Sequence, residues 1–310
     1  MTAEKPNILL IMTDQQRYDS LGCYGFDGVK TPNLDKLAEE GVLFENCYVN
    51  NPICTPSRAS IHTGKHVPGH GVYKLYDNLP EREVLFPEKL QEKGYQTALF
   101  GKLHVSGRIY EENQRHPHNG FDIYEWCMEP SLNLDVSFNG YGNWLKNNDP
   151  EFFQELKQKG RDLHHVPRGV HMTHWAAQRT IDYINNNQDD KPFFIEMSVF
   201  DPHDPYTDFP EEMSRYLNEE QIPEPKYREK EMRDKPEGIK REHKHSYLGS
   251  FTDFSKEEIM EMKKGYYASI GLIDQEIGRV LECLENNNIA EDTLVIFVSD
   301  HGDMLGDHQL

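Results

Sequence analysis

Four short runs of apolar residues punctuate the chain, at residues 8–12, 97–100, 193–200 and 294–298. Each is too short for an ordinary helix, and continuous apolar character of this length predicts a buried strand of a parallel sheet. Each run also ends in polar residues with chemical capability. Thr13-Asp14-Gln15 follows the first, and Gly101-Lys102 with His104 follows the second. Asp201-Pro202-His203 follows the third, and Ser299-Asp300-His301 the fourth. Helical patterns lie between the runs. Thr31-Pro32 forms an N-cap and N1 pair ahead of Leu34 and Leu37, with Gly41 as the stop, and residues 87–93 precede Gly94 in the same way. Ser255 and Glu258 form a capping box for a long helix reaching about Glu285, whose stripe from Ile259 to Leu284 predicts packing on the sheet. The fold class is therefore α/β, a mostly parallel central sheet flanked by helices. Ligands in such sheets gather beyond the carboxyl ends of the strands, so the four polar strand ends are expected to converge on one pocket. A polar residue after one strand is ordinary loop chemistry; four together carry the inference.

Residues 105–192, rich in Asn, His and Gly, and 204–254, rich in Pro and mixed charge, read as insertions beside the strand ends, suited to selecting a substrate. The charge balance narrows the ligand class. Across 310 residues, 33 Lys and Arg face 53 Asp and Glu, a net charge of −20. That excludes a general nucleic-acid binder but not a small anion held by a local cationic cluster. No apolar run is long enough to span a bilayer, so no membrane partner is expected. Five cysteines with no CxxC pair argue against a disulfide framework or structural zinc. The first residues lack a signal-peptide pattern, and the expected compartment is the cytoplasm. Trp126, Trp144 and Trp175 read mainly as packing residues. The histidines at 164, 165, 171 and 174 are assigned to no metal site.

The segment Pro52-Ile-Cys54-Thr-Pro56-Ser-Arg58-Ala-Ser-Ile-His-Thr-Gly64 holds the most chemistry. Pro56 suits the first turn of a helix, which puts Cys54 at its N-terminus and Arg58 one turn along. Helix dipole and guanidinium together favour an anion there and would lower the pKa of a thiol. A buried structural cysteine at a helix start fits the local pattern equally well.

Cys-x-Pro-Ser-Arg, followed by small residues and Thr-Gly, resembles the hallmark of the type I sulfatases of the alkaline-phosphatase superfamily. The resemblance implies that Cys54 is converted to formylglycine by a formylglycine-generating enzyme. Its hydrate, bound to a metal, would attack a sulfate monoester in line and then release sulfate by collapsing to the aldehyde. Asp14, Gln15, Cys54, Asp300 and His301 align with the family's metal-binding positions. The pairs Asp14-Gln15 and Asp300-His301 are similar to those of the branch holding choline sulfatases and phosphonate monoester hydrolases. The implied cofactor is a divalent ion, Ca²⁺ first and Mn²⁺ as the alternative that better tolerates imidazole. Lys102 and His104 match a Lys-x-His element, with Lys102 on a sulfate oxygen and His104 assisting sulfate elimination. His203 matches the acid that protonates the leaving group, a role suited to a pKa near neutrality. Asn78, in Tyr76-Asp77-Asn78, matches a substrate-contacting position; an ordinary Asx-turn is the competing reading. Catalytic roles thus fall to Cys54, Arg58, Lys102, His104 and His203, and substrate contacts to Asn78, Lys102 and His203.

The family adds a lysine shortly beyond the second metal pair and a smaller C-terminal domain. Here the sequence given stops at Leu310 with no lysine after His301. The expectation is that residues 1–310 form the catalytic N-terminal domain of a longer protein. Two other readings remain at this point. One is a phosphonate monoester or phosphodiester hydrolase of the same superfamily; the other is a catalytically silent binding protein whose Cys54 stays a thiol.

Overall fold

The computed structural model describes residues 5–187, 191–245 and 249–310. Five strands, β1 (Asn7–Thr13), β2 (Gln96–Gly101), β3 (Ile123–Trp126), β4 (Phe193–Ser198) and β5 (Thr293–Ser299), form one parallel sheet in the order β3-β2-β4-β1-β5. Register matters more than order for the site. Met12 lies opposite Ser198, Gly101 also opposite Ser198, and Thr13 opposite Ser299. Four strands therefore end level, and Asp14, Lys102, the 201–203 segment and Asp300 leave the sheet side by side.

Side chains alternate between the two faces, as the period of two requires. Leu9, Ile11, Ala98, Phe100, Ile195 and Met197 belong to one core. That core takes in Leu34 of α1 (Pro32–Glu40), Trp175 and Ala176 of α5 (Met172–Asn186), and Ile270, Ile273 and Ile277 of α6 (Lys256–Asn286). Leu10, Met12, Leu99 and Phe194 face the other way. They meet Ala59 of α2 (Cys54–Thr63) and, less deeply, Phe86 and Leu90 of α3 (Phe86–Glu92). A further single turn, α4 (Arg108–Glu111), follows β2. Burying each such aliphatic side chain contributes about 1.5–3 kcal/mol, so the sheet is held from both sides. No described helix is long and apolar enough to cross a membrane.

The capping box of α6 is present, with Ser255 Oγ accepting from Glu258 N and Glu258 accepting from Ser255 N. At α1 the expected Thr31 cap is not made. Asp274 of α6 instead accepts from the backbone of Asn33 (3.0 Å) and Leu34 (2.8 Å), so one buried carboxylate caps α1 and ties it to α6.

Two expectations about organisation fail. Residues 105–192 are not simply surface insertion: they supply the edge strand β3 and α5, whose Trp175, Ala176 and Ala177 are fully buried. β5 is not a buried strand either. It occupies the sheet edge, with Leu294 51% and Ile296 40% exposed, because this side of the sheet meets solvent where α2 and α3 cover the centre. The described residues of the 204–254 segment are mostly short helical turns and loops, anchored by buried Met213, Ile222 and Phe251.

Candidate active site

α2 begins at Cys54, so its thiol sits on the first turn, directly above the level ends of β1 and β5. Four buried groups share that space: the Asp14 and Asp300 carboxylates, Cys54 Sγ and the His301 ring, with ligand-capable atoms all within 4.8 Å of one another. Sγ lies 3.5 Å from Asp14 Oδ1 and 3.1 Å from His301 Nε2. His301 Nδ1 is 2.7 Å from the Gly302 carbonyl, to which it must donate, and Nε2 faces the cluster.

Arg58 is the hub. Fully buried one turn beyond Cys54, it donates from Nε to Asp300 Oδ2 (2.6 Å) and from one Nη to Lys102 O (2.8 Å) and Ser198 Oγ (2.9 Å), with the other Nη 3.6 Å from Asp14 Oδ2. One planar guanidinium thus joins the ends of β1, β2, β4 and β5. Lys102 is buried beside Asp14, with which its ammonium pairs, and lies 5.0 Å above the Phe200 ring. Its backbone is brought there by Gly101, at φ +118°, where a Cβ would come within 1.8 Å of Ser198 O. Burial opposes the Lys102 charge, but Asp14 and Cys54 outweigh it and raise the pKa. Burial likewise works against an ionised Asp14, yet Lys102, His203, Arg58 and His301 hold its carboxyl far below the usual range.

The expected activation of the Cys54 thiol is reversed. Burial, reinforced by Asp14, pushes its pKa up and outweighs Lys102 and a hydrogen bond from His203. The helix terminus alone cannot make a thiolate among carboxylates.

His203 also departs from expectation. Burial would favour neutral imidazole, but hydrogen bonds to Asp204 and Cys54 raise its pKa well above 6.5 rather than leaving it near neutrality. Asp204 Oδ1 is 2.8 Å from His203 Nδ1, and its other oxygen is 2.7 Å from Arg161, which also pairs with Glu129. His104 goes the other way: burial, then Lys102 and Arg58, drive its pKa well down. Thr55 Oγ1 donates to Leu75 O and lies 3.0 Å from His104 Nε2, so Nε2 must be the donor to Thr55. Buried Nδ1 is left as a bare acceptor with no hydrogen-bond partner.

Gln15, at φ +66°, donates its backbone N–H to Asp300 Oδ1 (3.0 Å) and its amide to Asp303 and Tyr206, leaving Oε1 as the remaining side-chain acceptor. Asn78 is exposed, on a loop whose Asp77 carbonyl accepts from Gly107 N and whose Asp77 carboxylate accepts from Tyr73 N and Lys74 N. It is not brought into the buried cluster.

Several supporting residues escape sequence reasoning. Glu111 of α4 accepts from His104 N, Ser106 N and Trp126 Nε1, each at 3.0 Å, and fixes the Lys102–His104 segment. Glu196, on the same face of β4 as Phe194, meets His62 Nε2 at 3.0 Å and pins α2 to the sheet. The one signal for Glu196 was a carboxylate inside an otherwise apolar strand. Asp204, Arg161 and Glu129 carried none.

Arg58, Lys102 and His203 bring three cationic donors to one pocket around the two carboxylates, an arrangement that suits a small anion bearing a reactive centre. Comparison with known proteins agrees. The family profile described as Sulfatase matches residues 6–310. An arylsulfatase of Clostridium perfringens (strain 13 / Type A) is 33% identical over 98% of this chain and 64% of its own length. A choline-sulfatase of Rhizobium meliloti (strain 1021) is 28% identical over 100% of this chain and 60% of its own. The crystal structure of a phosphonate monoester hydrolase of Agrobacterium radiobacter superposes with a TM-score of 0.77 at 26% identity, covering 99% of this chain and 64% of that one. The chain thus spans less than two thirds of these relatives, and over that span it belongs to the sulfatase family of alkaline-phosphatase-like α/β hydrolases.

Proposed function

We propose that this chain carries the catalytic centre of a sulfuric ester hydrolase acting on small anionic sulfate monoesters, with formylglycine derived from Cys54 as nucleophile. One observation carries the reading: Cys54 heads α2 with its sulfur facing Asp14, His301 and His203, in a pocket where Arg58 and Lys102 balance the two carboxylates and His203 adds a further cation. Formylglycine at this position supplies an oxygen nucleophile and a carbonyl that can expel sulfate, neither of which a thiol offers. The raised thiol pKa argues against a thiolate nucleophile at Cys54.

The buried donors fit a divalent cation. Asp14 and Asp300 provide anionic oxygens, and His301 turns Nε2 toward them and Cys54 Sγ. Asp14, Asp300, His301 and the Cys54-derived group would hold the ion, with Gln15 Oε1 within the same loop. Such an ion supplies Lewis-acid charge at the reacting oxygens. Ca²⁺ is the first expected ion, and Mn²⁺, which tolerates the imidazole better, is the alternative.

The remaining steps belong to the chain's own side chains. Arg58 fixes both carboxylates in place. Lys102 keeps its charge and neutralises the non-bridging sulfate oxygens. His203, protonated on both nitrogens between Asp204 and Cys54, gives a proton to the bridging oxygen as the alcohol leaves. His104, neutral and with Nδ1 bare, accepts a proton during sulfate release. Exposed Asn78 reaches the substrate, in this proposal, only from the pocket rim.

Parallel turnover of an aryl sulfate and an aryl phosphonate, with mass spectrometry of the Cys54 peptide, tests the proposal. Sulfate preference, a hydrazide-reactive aldehyde at Cys54 and loss of turnover in Cys54→Ala are expected. A clear phosphonate preference would transfer the site to that chemistry. An unmodified thiol with no turnover would leave a binding protein.

A further inference from the structure

Behind the catalytic pocket, on the far side of Asp201, lies a second group of buried ionisable side chains. His171 is the N-cap of α5, Asp201 follows β4, and Asp208 lies on the loop beyond His203. All three are buried, and their ligand-capable atoms lie within 4.8 Å of one another. Asp201 Oδ2 accepts from the Thr173 hydroxyl and is 3.7 Å from His171 Nδ1. Asp14 N donates to Asp201 O at 3.2 Å, so this group backs directly onto the catalytic cluster.

The charge balance here is unusual. Two buried carboxylates face one histidine, and among the described residues neither is ion-paired with a lysine or arginine. Arg161 pairs with Glu129 and Asp204, and His203, which pairs with Asp204 and Cys54, acts on Asp201 only by its charge. Two buried carboxylates with no lysine or arginine paired to them are costly unless a cation or a proton joins them.

Two further observations leave room for an ion and a water. His171 Nδ1 takes only a long 3.3 Å bond from Thr173 N, so its lone pair is weakly used, while the buried Nε2–H has no hydrogen-bond partner. His171 and Asp208 also line a small cavity of about 20 Å³, with Arg161 and Glu129 on its wall. That is room for one water, which needs about 10–15 Å³. Ligands on a tetrahedral ion with bonds of about 2.1 Å stand about 3.4 Å apart, near the 3.7 Å between His171 and Asp201.

We propose that His171, Asp201 and Asp208 form a second divalent-metal site, of zinc type, completed by a water in the adjoining cavity. Imidazole and two carboxylates are hard-to-borderline donors that suit Zn²⁺ better than Ca²⁺. Nδ1 exchanges its long cap bond for the ion, and Nε2–H turns to the water. The ion cancels both carboxylate charges and ties α5 to the segment bearing His203. The site does not depend on the sulfatase reading, since it lies outside the residues that reading uses.

The test counts metal. The chain is stripped with chelator, loaded with Zn²⁺, desalted and analysed by mass spectrometry of the metal. Asp208→Asn, which copies the shape of a protonated acid, is expected to hold one equivalent less than wild type. The double variant Asp14→Asn/Asp300→Asn, which disables the catalytic cluster, should still gain Tm with Zn²⁺, and should lose that gain when Asp208→Asn is added. His171→Asn serves if Asp208→Asn folds poorly, because asparagine preserves the helix cap. Equal zinc content in Asp208→Asn, His171→Asn and wild type would overturn the proposal and leave the two carboxyls sharing a proton.

Discussion

Asp204→Asn isolates the electrostatic setting of the proposed acid. Asp204 contacts His203 Nδ1 at 2.8 Å and is the largest influence raising its pKa against burial. An opposite charge at such range typically moves a pKa by about 1–3 pH units. Arg161, 2.7 Å from the other Asp204 oxygen, already offsets part of that charge. The lower half of the range applies, so the variant should drop the His203 pKa by about 1–2 pH units, or about 1.4–2.7 kcal/mol. The sign follows from which form works. The imidazolium donates the proton, so the alkaline limb of kcat/KM lies above pH 6.5 in the parent and moves to lower pH in the variant. Arg161→Gln frees Asp204 and should move the limb the opposite way. Stability follows the same rule: the contribution of His203 is present below the unfolded value near 6.5 and is lost as pH rises through the higher folded value. NMR titration of the His203 ring measures the shift even where turnover is slow. An unmoved His203 resonance and an unmoved limb in Asp204→Asn would refute the assignment.

Three further substitutions probe the frame. Arg58→Lys keeps the charge, but one ammonium cannot reach Asp300, Lys102 O and Ser198 Oγ together. Losing two charge-assisted bonds should cost about 3 kcal/mol in urea melts, and a change under about 1 kcal/mol would show that the hub is not needed. Glu111→Gln retains an oxygen acceptor but weakens three bonds to the 104–106 segment and Trp126. It should lower kcat about tenfold with KM little changed, which steady-state kinetics reads directly. Gly101→Ala meets Ser198 O at 1.8 Å in a left-handed backbone, and differential scanning calorimetry should show a loss of more than about 3 kcal/mol.

Much of the fold was legible because burial on both faces leaves continuous apolar runs, and β1, β2 and β4 are of that kind. β3 was missed because Ile123-Tyr-Glu-Trp126 is four residues long and half polar, as an edge strand can be. α5 was hidden within Asn- and His-rich surroundings although its buried face carries Trp175 and Ala176. Spacing showed that Asp14, Cys54, Lys102, His203 and Asp300 end strands or begin a helix, and register explains why such residues meet. Protonation was not legible. The Cys54 thiol and His203 both moved against expectation, because burial beside Asp14 governs the first and contact with Asp204 the second, and no linear pattern encodes either. Glu111 and Arg161 act across folded space and left no local signature.

The position of β1 has a consequence for the order of assembly. It is the first strand made, yet its neighbours are the fourth and the fifth, so its hydrogen bonds wait on nearly the whole chain. Asp14 and Asp300 come together only when β1 and β5 pair, which is when their mutual repulsion first arises and Arg58 first has both to neutralise. Sheet closure is thus also charge closure. Long-range parallel pairing of this kind is slow, and contacts made last govern escape more than entry. Weakening the Arg58 junction should therefore shorten the lifetime of the folded state while leaving the rate of its formation nearly unchanged.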